Sequence, residues 1–220
     1  MVEQGYIQSR AYSLWLNDLE AETGEILFGG VDTKKFHGKI HTIPLDLRVG
    51  QSSASEFMVT LTQLALTNNA GQHMNLTDDG WGIPVLLDSG TTYTYLPEGL
   101  YGSLASEVGA QFVAGTSIVP CSLRGYNGSI NFGFSGYQIH VNFSELVIDA
   151  EDIYGYPLTF DDGEQLCFFG IFPESDSNGS YVLGDTFLRA TYLVYDLDNE
   201  QVGLANTNFN ATERYRPHIN

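Results

Sequence analysis

Positive charge is scarce in this sequence. Nine Lys and Arg residues (Arg10, Lys34, Lys35, Lys39, Arg48, Arg124, Arg189, Arg214 and Arg216) are scattered against 27 Asp and Glu, a formal net charge of −18. A chain this acidic repels phosphate backbones, which excludes nucleic acid as a partner. Long apolar runs are also missing, and no segment is long and apolar enough to cross a bilayer as a helix. Cysteine is limited to Cys121 and Cys167. Two thiols cannot build a structural zinc site without several histidines, and His37, His41, His73, His140 and His218 show no ligand spacing. Neither a metal nor a cofactor is expected. Charged residues of either sign make up only 16% of the chain against 43% apolar, so the charge imbalance belongs to a globular protein and not to a disordered one.

What is abundant points to β structure. Twenty-four glycines, thirteen tyrosines and thirteen phenylalanines favour short strands joined by tight turns over a helical bundle. The 220 residues are ample for a buried core, and no repeat or linker divides them. Strands are expected over Tyr12–Leu16 and Glu25–Phe28 as a hairpin, then over Ile40–Leu45 and Phe57–Leu66. In the last of these, Val59 and Leu61 face one way and Leu64 and Leu66 resume out of phase, which demands a bulge or tight turn. Asn68–Gly82 reads as a loop, and Pro84–Leu87 as a strand buried on both faces. Helical spacing appears only after Pro97, with Leu100, Leu104 and Val108 on one stripe that Phe112 could extend. Further strands are read at Ile130–Phe134, Tyr137–Phe143, Leu146–Ile148, Gln165–Ile171, Tyr181–Leu183, Tyr192–Asp196 and Gln201–Ala205, with a short helix near Phe187 and a frayed tail over Ala211–Asn220. The fold class is all-β and mainly antiparallel, with one or two short helices.

Compartment signals concern the same polar turns. Five Asn-x-Ser/Thr acceptors for N-glycosylation occur, at Asn75, Asn127, Asn142, Asn178 and Asn210. Cys121 and Cys167 are either two buried thiols or a disulfide; closing that loop of 46 residues would contribute roughly 4 kcal/mol, less any strain. A secreted chain with one disulfide is the economical reading. No secretory leader opens the sequence, which predicts a processed or truncated precursor. Self-repulsion among 27 carboxylates weakens the compact state near neutral pH and fades in mild acid, which points to acidic surroundings.

The stretch that carries chemistry is Val85-Leu86-Leu87-Asp88-Ser89-Gly90-Thr91-Thr92. A carboxylate follows directly on an apolar run, where it needs hydrogen-bond donors or a shared proton. Ser89, Thr91 and the N–H groups around Gly90 can supply donors, and glycine permits the close turn. On this window alone, Asp88 could equally cap a turn. A second apolar run, Tyr181-Val182-Leu183, ends in Gly184-Asp185 and leads into Thr186-Phe187-Leu188-Arg189.

Together, Leu87–Thr92 and the later Val182-Leu183-Gly184 resemble the paired signature of pepsin-like aspartic proteases. The stretch from Val182 through Val194-Tyr195-Asp196 to Val202-Gly203-Leu204-Ala205 is similar to that family's C-terminal signature, and Tyr12–Leu16 with Leu27–Asp32 to the opening of its second lobe. The long loops and glycosylation triplets resemble the fungal secreted or yapsin-type branch. The resemblance implies that residues 1–206 form the C-terminal lobe of a bilobal acid protease, with 207–220 as a tail and Met1 internal to a longer precursor. It implies a peptide substrate, a partner in the N-terminal lobe, hydrolysis through two aspartates and a water, and passage through the secretory pathway to the cell surface or outside. Asp88 becomes the second-lobe aspartate, with Ser89 in an interlobe hydrogen-bond crossing, Gly90 in the turn and Thr91 on the carboxylate. Thr92, Leu86, Trp15 and Ile171 become candidates for the substrate cleft, each equally accountable as packing. Cys121 and Cys167 match the lobe's disulfide. Asp185 and Arg189 are expected to cap and brace the short helix. Alone, the chain is expected to be inactive. Two other readings are an inactive pepsin-like module that binds or inhibits a partner, and a homodimer of this lobe that rebuilds the aspartate pair.

Overall fold

A computed structural model describes residues 1–47, 52–151, 154–177 and 179–212. Asn178, Arg48, Arg214, Arg216 and His218 lie outside the described residues. The chain is mainly antiparallel β structure, as its composition predicts.

The expected hairpin forms from β1 (Ala11–Trp15) and β2 (Glu25–Phe28). After β3 (His41–Pro44), the segment read as one bulged strand divides into β4 (Met58–Leu61) and β5 (Gln63–Thr67). The phase change at Thr62 is where the chain leaves one sheet for another, so Val59 and Leu61 bury in the first and Leu64 and Leu66 in the second. The expected loop at 68–82 holds a further strand, β6 (His73–Asn75). β7 (Ile83–Leu87) buries Val85 and Leu87 but leaves Pro84 exposed and Leu86 half-buried, so it is covered on one face and not on both.

β8 (Thr94–Leu96) precedes α1 (Glu98–Val108). Pro97 is the N-cap of this helix, with Glu98 in its first turn, and Gly109 closes it in a left-handed conformation whose N–H donates to the Ala105 carbonyl. Phe112 therefore falls beyond the helix, in β9 (Gln111–Val113), which pairs with β10 (Thr116–Pro120). β11 (Ser129–Phe134) and β12 (Tyr137–Asn142) form a second hairpin, followed by the short α2 (Phe143–Leu146) and β13 (Val147–Asp149). The strand expected over Gln165–Ile171 is two, β14 (Leu166–Phe169) and β15 (Ile171–Pro173). β16 (Val182–Leu183), α3 (Asp185–Leu188), β17 (Thr191–Asp196) and β18 (Gln201–Asn206) complete the order.

Among the described residues four sheets form, in the orders β2-β1-β17-β18-β3, β15-β8-β16-β7-β4, β12-β11-β5-β6 and β13-β14-β10-β9. One large apolar core joins them, with Phe132, Phe134, Phe143, Phe169 and Phe187 among its fully buried side chains. Cys121 and Cys167 form a disulfide, tying the end of β10 to the buried strand β14. The start of the expected tail is anchored: the Thr207 N–H donates to the Ala190 carbonyl at 3.0 Å, and the Asn210 N–H to Asn17 Oδ1 at 2.8 Å.

Candidate active site

β7 and β16 run parallel, with Leu86 opposite Val182 and Leu87 opposite Leu183. Between them the chain makes β8 and α1 and the whole middle of the fold, so two distant apolar runs end side by side. Asp88 is the first residue past the buried end of β7, and its N–H donates to the Leu183 carbonyl at 3.1 Å. The neighbouring Leu87 N–H donates to Phe57 O at 3.0 Å, which holds the turn from its other side.

The turn itself grips the carboxylate. The Gly90 N–H donates to Asp88 Oδ1 at 2.9 Å, and the Thr91 hydroxyl donates to Oδ2 at 2.7 Å. Each oxygen thus has a neutral donor from the same loop, and Asp88 is half-buried. Among the described residues no cation pairs with it. A Cβ at Gly90 would sit 3.2 Å from Asp88 Oδ1, tight enough that the carboxylate would have to give by a few tenths of an ångström. Ser89, unlike Gly90 and Thr91, makes no bond to the carboxylate; it is exposed and its hydroxyl bonds no described residue.

The second run closes around the first. Asp185 N–H donates to the Thr91 carbonyl at 2.8 Å and Thr186 N–H to the Thr92 carbonyl at 3.1 Å, so α3 hangs from the turn that carries Asp88. The buried Thr186 hydroxyl donates to Gly170 O at 2.9 Å and meets Thr94 Oγ1 at 3.1 Å. Arg189 braces α3 as expected, through a buried ion pair to Glu145 of α2 at 3.0 Å and a 2.7 Å bond to the Glu145 carbonyl. Asp185 does not cap the helix: no side-chain bond closes that end, and its buried Oδ1 has no hydrogen-bond partner among the described residues. Tyr195 stacks on Tyr12 at 4.8 Å and against Phe57 at 4.3 Å, and burial pushes its phenol far up, with Tyr12 and the Asp88 carboxylate adding to the shift.

The half-buried Asp88 carboxylate is thus held by its own Asp-Ser-Gly-Thr turn, beside the parallel strand that ends in Leu183-Gly184, so the fold brings together the two motifs that carry the family resemblance. The family model for eukaryotic aspartyl proteases matches residues 1–207. This chain belongs to the eukaryotic aspartyl proteases. The probable aspartic-type endopeptidase opsB of Aspergillus oryzae is 46% identical over 215 residues, covering 97% of this chain and 42% of that protein. Aspartic proteinase 3 of Saccharomyces cerevisiae is 36% identical, covering 94% of this chain and 34% of that protein, and the yeast aspartic proteinase yapsin-3 is 35% identical, covering 93% and 38%. The chain spans about two-fifths of the length of the fungal relatives it matches.

The other cleft candidates of this aspartyl protease chain scatter. Thr92 is exposed and Leu86 half-buried, both beside Asp88. Ile171 is fully buried in the core. Trp15 lies in a second apolar cluster with Tyr192, Val194 and Ala205, its ring centroid 3.6 Å from the Lys35 ammonium. Trp15 and Lys35 line a cavity of 570 Å³ that shares no residue with the Asp88 turn. Two aromatic contributions were not singled out from the sequence: Tyr195, and Phe172, which packs against Tyr93 at 4.6 Å just past the turn. A hydroxyl on an otherwise apolar strand position was the signal available for Tyr195.

Asp185 also shapes stability against pH. Burial raises its carboxyl above the ordinary aspartate value, Arg189 opposes the shift, and Asp88 adds to it. A carboxyl raised on folding stabilises the fold below its unfolded pKa, and that contribution is lost as pH climbs through the folded value. In thermal melts of the whole protein, Asp185→Asn therefore matches the parent in acid and loses less stability on the way to neutral pH. Parallel curves would show that Asp185 does not contribute this slope.

Proposed function

We propose that this chain is the C-terminal lobe of an acid endopeptidase and that Asp88 is one of its two catalytic carboxyls. The observation that carries the reading is the Asp88 turn: a carboxylate fixed by Gly90 and Thr91, left unpaired with any cation among the described residues. Two carboxyls held in contact cannot both ionise cheaply, so such a pair shares one proton. The ionised member takes a proton from a water as the water oxygen bonds to the peptide carbonyl carbon. The protonated member donates to the carbonyl oxygen, giving a neutral gem-diol. Collapse of the diol breaks the C–N bond, and its proton passes through the carboxyls to the leaving amine. Water is consumed, and an acid and an amine are released. Gly90 and Thr91 have the positioning role, fixing the plane of the carboxylate so that it meets water and partner together.

The second carboxyl must come from outside this chain. A surface suited to a companion lobe is present: Ile26 is 55% and Phe28 52% exposed on edge strand β2, beside a groove of 460 Å³ whose lining includes Met1, Val2, Ile7, Phe28 and Leu197, with Glu3 and Arg10 among them. The relatives, more than twice this length, leave room for such a lobe. The Cys121–Cys167 disulfide and the yapsin-type relatives support a route through the secretory pathway.

Hydrolysis by the whole protein in ¹⁸O-water at acid pH tests the chemistry. Direct attack by water places label in the new carboxyl terminus, and an added amine nucleophile captures no acyl group. Acyl transfer to the amine, or no cleavage with a second Asp-Thr/Ser-Gly turn absent from the precursor, would overturn the reading in favour of covalent chemistry or a binding module.

A further inference from the structure

The outward face of the β12-β11-β5-β6 sheet has a composition unlike the rest of this acidic molecule. Two rows cross the four strands. His73, Thr67, Ser129 and Asn142 stand opposite one another, as do Asn75, Ala65, Asn131 and His140. Residues two apart share a face, so Gln63 and Gln138 belong to the same surface. The opposite face carries Leu64, Leu66, Ile130, Phe132, Ile139 and Val141, all in the core. No Asp, Glu, Lys or Arg occupies the outward rows, in a chain of net charge −18.

The polar side chains bond to one another across this face, within and between the rows. Gln138 donates to Gln63 Oε1 at 2.8 Å, and Gln63 donates to Asn75 Oδ1 at 2.9 Å. Asn131, almost fully buried, accepts from Ser129 at 2.7 Å and donates to Thr67 at 2.8 Å. The two ends of this face are Asn75, on edge strand β6, and Asn142, on edge strand β12. Both begin acceptor triplets, Asn75-Leu76-Thr77 and Asn142-Phe143-Ser144.

We propose that this sheet face is a glycan-bearing surface, with N-linked sugars on Asn75 and Asn142. The attachment atom is the side-chain nitrogen, and in both residues it is uncommitted among the described residues. Gln63 engages only the oxygen of Asn75, and Asn75 is exposed. Asn142 occupies the N-cap position of α2 and is exposed, yet makes no side-chain capping bond. Asparagine at that position ordinarily caps. Asn210 differs: its Nδ2 donates to Asp18 Oδ2, at 2.5 Å, its Oδ1 accepts from Asn17 at 3.4 Å, and its φ is +55°. A sugar there would lie against the Asp18 carboxylate.

The glycans solve two physical problems at once. β6 is an edge strand with all three residues exposed, a template for pairing with another chain, and a bulky hydrated group at Asn75 blocks that edge. A face without charge also gains hydration from sugars that ionised side chains supply elsewhere. Among the described residues neither acceptor bonds the Asp88 turn.

This inference rests on the secretory-route reading above, and one experiment separates the two. The full-length protein is secreted from a yeast host and its glycans are removed enzymatically in ¹⁸O-water, which converts each occupied asparagine to labelled aspartate. Label is expected at Asn75 and Asn142 in most molecules, and at Asn210 in few. Asn75→Gln and Asn142→Gln, exposed changes that keep an amide, should each lose one glycan step on a gel. Asn75→Gln should also self-associate more readily, and Ser144→Ala should lose the Asn142 glycan with Asn142 intact. A secreted protein labelled at Asn210 but not at Asn75 and Asn142 overturns the inference and leaves the route standing. A protein neither exported nor labelled anywhere overturns both.

Discussion

Asp88→Asn is expected to abolish peptide cleavage by the whole protein while leaving its thermal unfolding close to that of the parent. The substitution is nearly isosteric, and the Asn oxygen can still accept from Gly90 N–H, which now sits 2.9 Å from Oδ1. What disappears is an acid able to hold or release a proton. An amide can neither take a proton from the attacking water nor return one to the amine, so turnover falls by at least roughly 10²–10⁴-fold, the span general acid–base groups supply. Thr91→Ser, which keeps the 2.7 Å donor to Oδ2, should retain most activity, whereas Thr91→Val should lower kcat more than it raises KM. Steady-state kinetics on one peptide, with circular dichroism as the folding control, decide this. Unchanged turnover in Asp88→Asn would remove Asp88 from the chemistry.

The contrast between what could be read in advance and what could not has a physical pattern. Asp88 and Thr91 were legible because a carboxylate at the end of an apolar run needs donors, and the donor types stand next to it in the chain. Strands with apolar inward positions were legible for the same kind of reason: β1, β11, β12, β17 and β18 all lie within a residue or two of where the apolar pattern puts them, and so does β2, although its Ile26 and Phe28 are exposed. The strands that escaped bury hydroxyls where a pattern would show apolar groups. In β8, fully buried Thr94 is satisfied by Thr186, and in β10, fully buried Ser117 bonds the Tyr101 hydroxyl at 2.7 Å. β6 and β9 escaped for the opposite reason: every residue in them is exposed, so Met74, Phe112 and Val113 do not alternate with buried partners, and Phe112 reads as easily as the end of the helical stripe. Ser89 shows the remaining gap. Three neighbours of Asp88 could donate, and only the folded turn selects Gly90 and Thr91.

The parallel β7–β16 pairing brings the second large effect, at Gly184. Its backbone lies in the extended region (φ −88°, ψ −163°), so conformational freedom is not why glycine stands there. Contact is. A Cβ on residue 184 would come within 2.4 Å of the Thr91 carbonyl oxygen and 2.3 Å of the Tyr93 carbonyl oxygen. Both are backbone atoms of the segment leaving the Asp88 turn, and neither can swing aside as a side-chain tip would. The Thr91 carbonyl also accepts the Asp185 N–H at 2.8 Å, so moving it breaks the bond that hangs α3 from the turn. Gly184→Ala must therefore push β16 away from β7, or displace the turn and with it the carboxylate plane. Overpacking of a buried site ordinarily costs about 1–3 kcal/mol. Here the obstacle is backbone on two sides, and the expected loss is at the top of that span or above it, with activity falling further than stability. The order of the two losses is diagnostic. Chemical denaturation and kinetics on the same variant should show residual folded protein with little turnover, because a displacement of about 1 Å at a catalytic group can cost 10²-fold in rate. A folded variant with parental kcat would mean that the two strands can separate without moving Asp88. The coupling between the two sequence-distant motifs would then be one of packing alone.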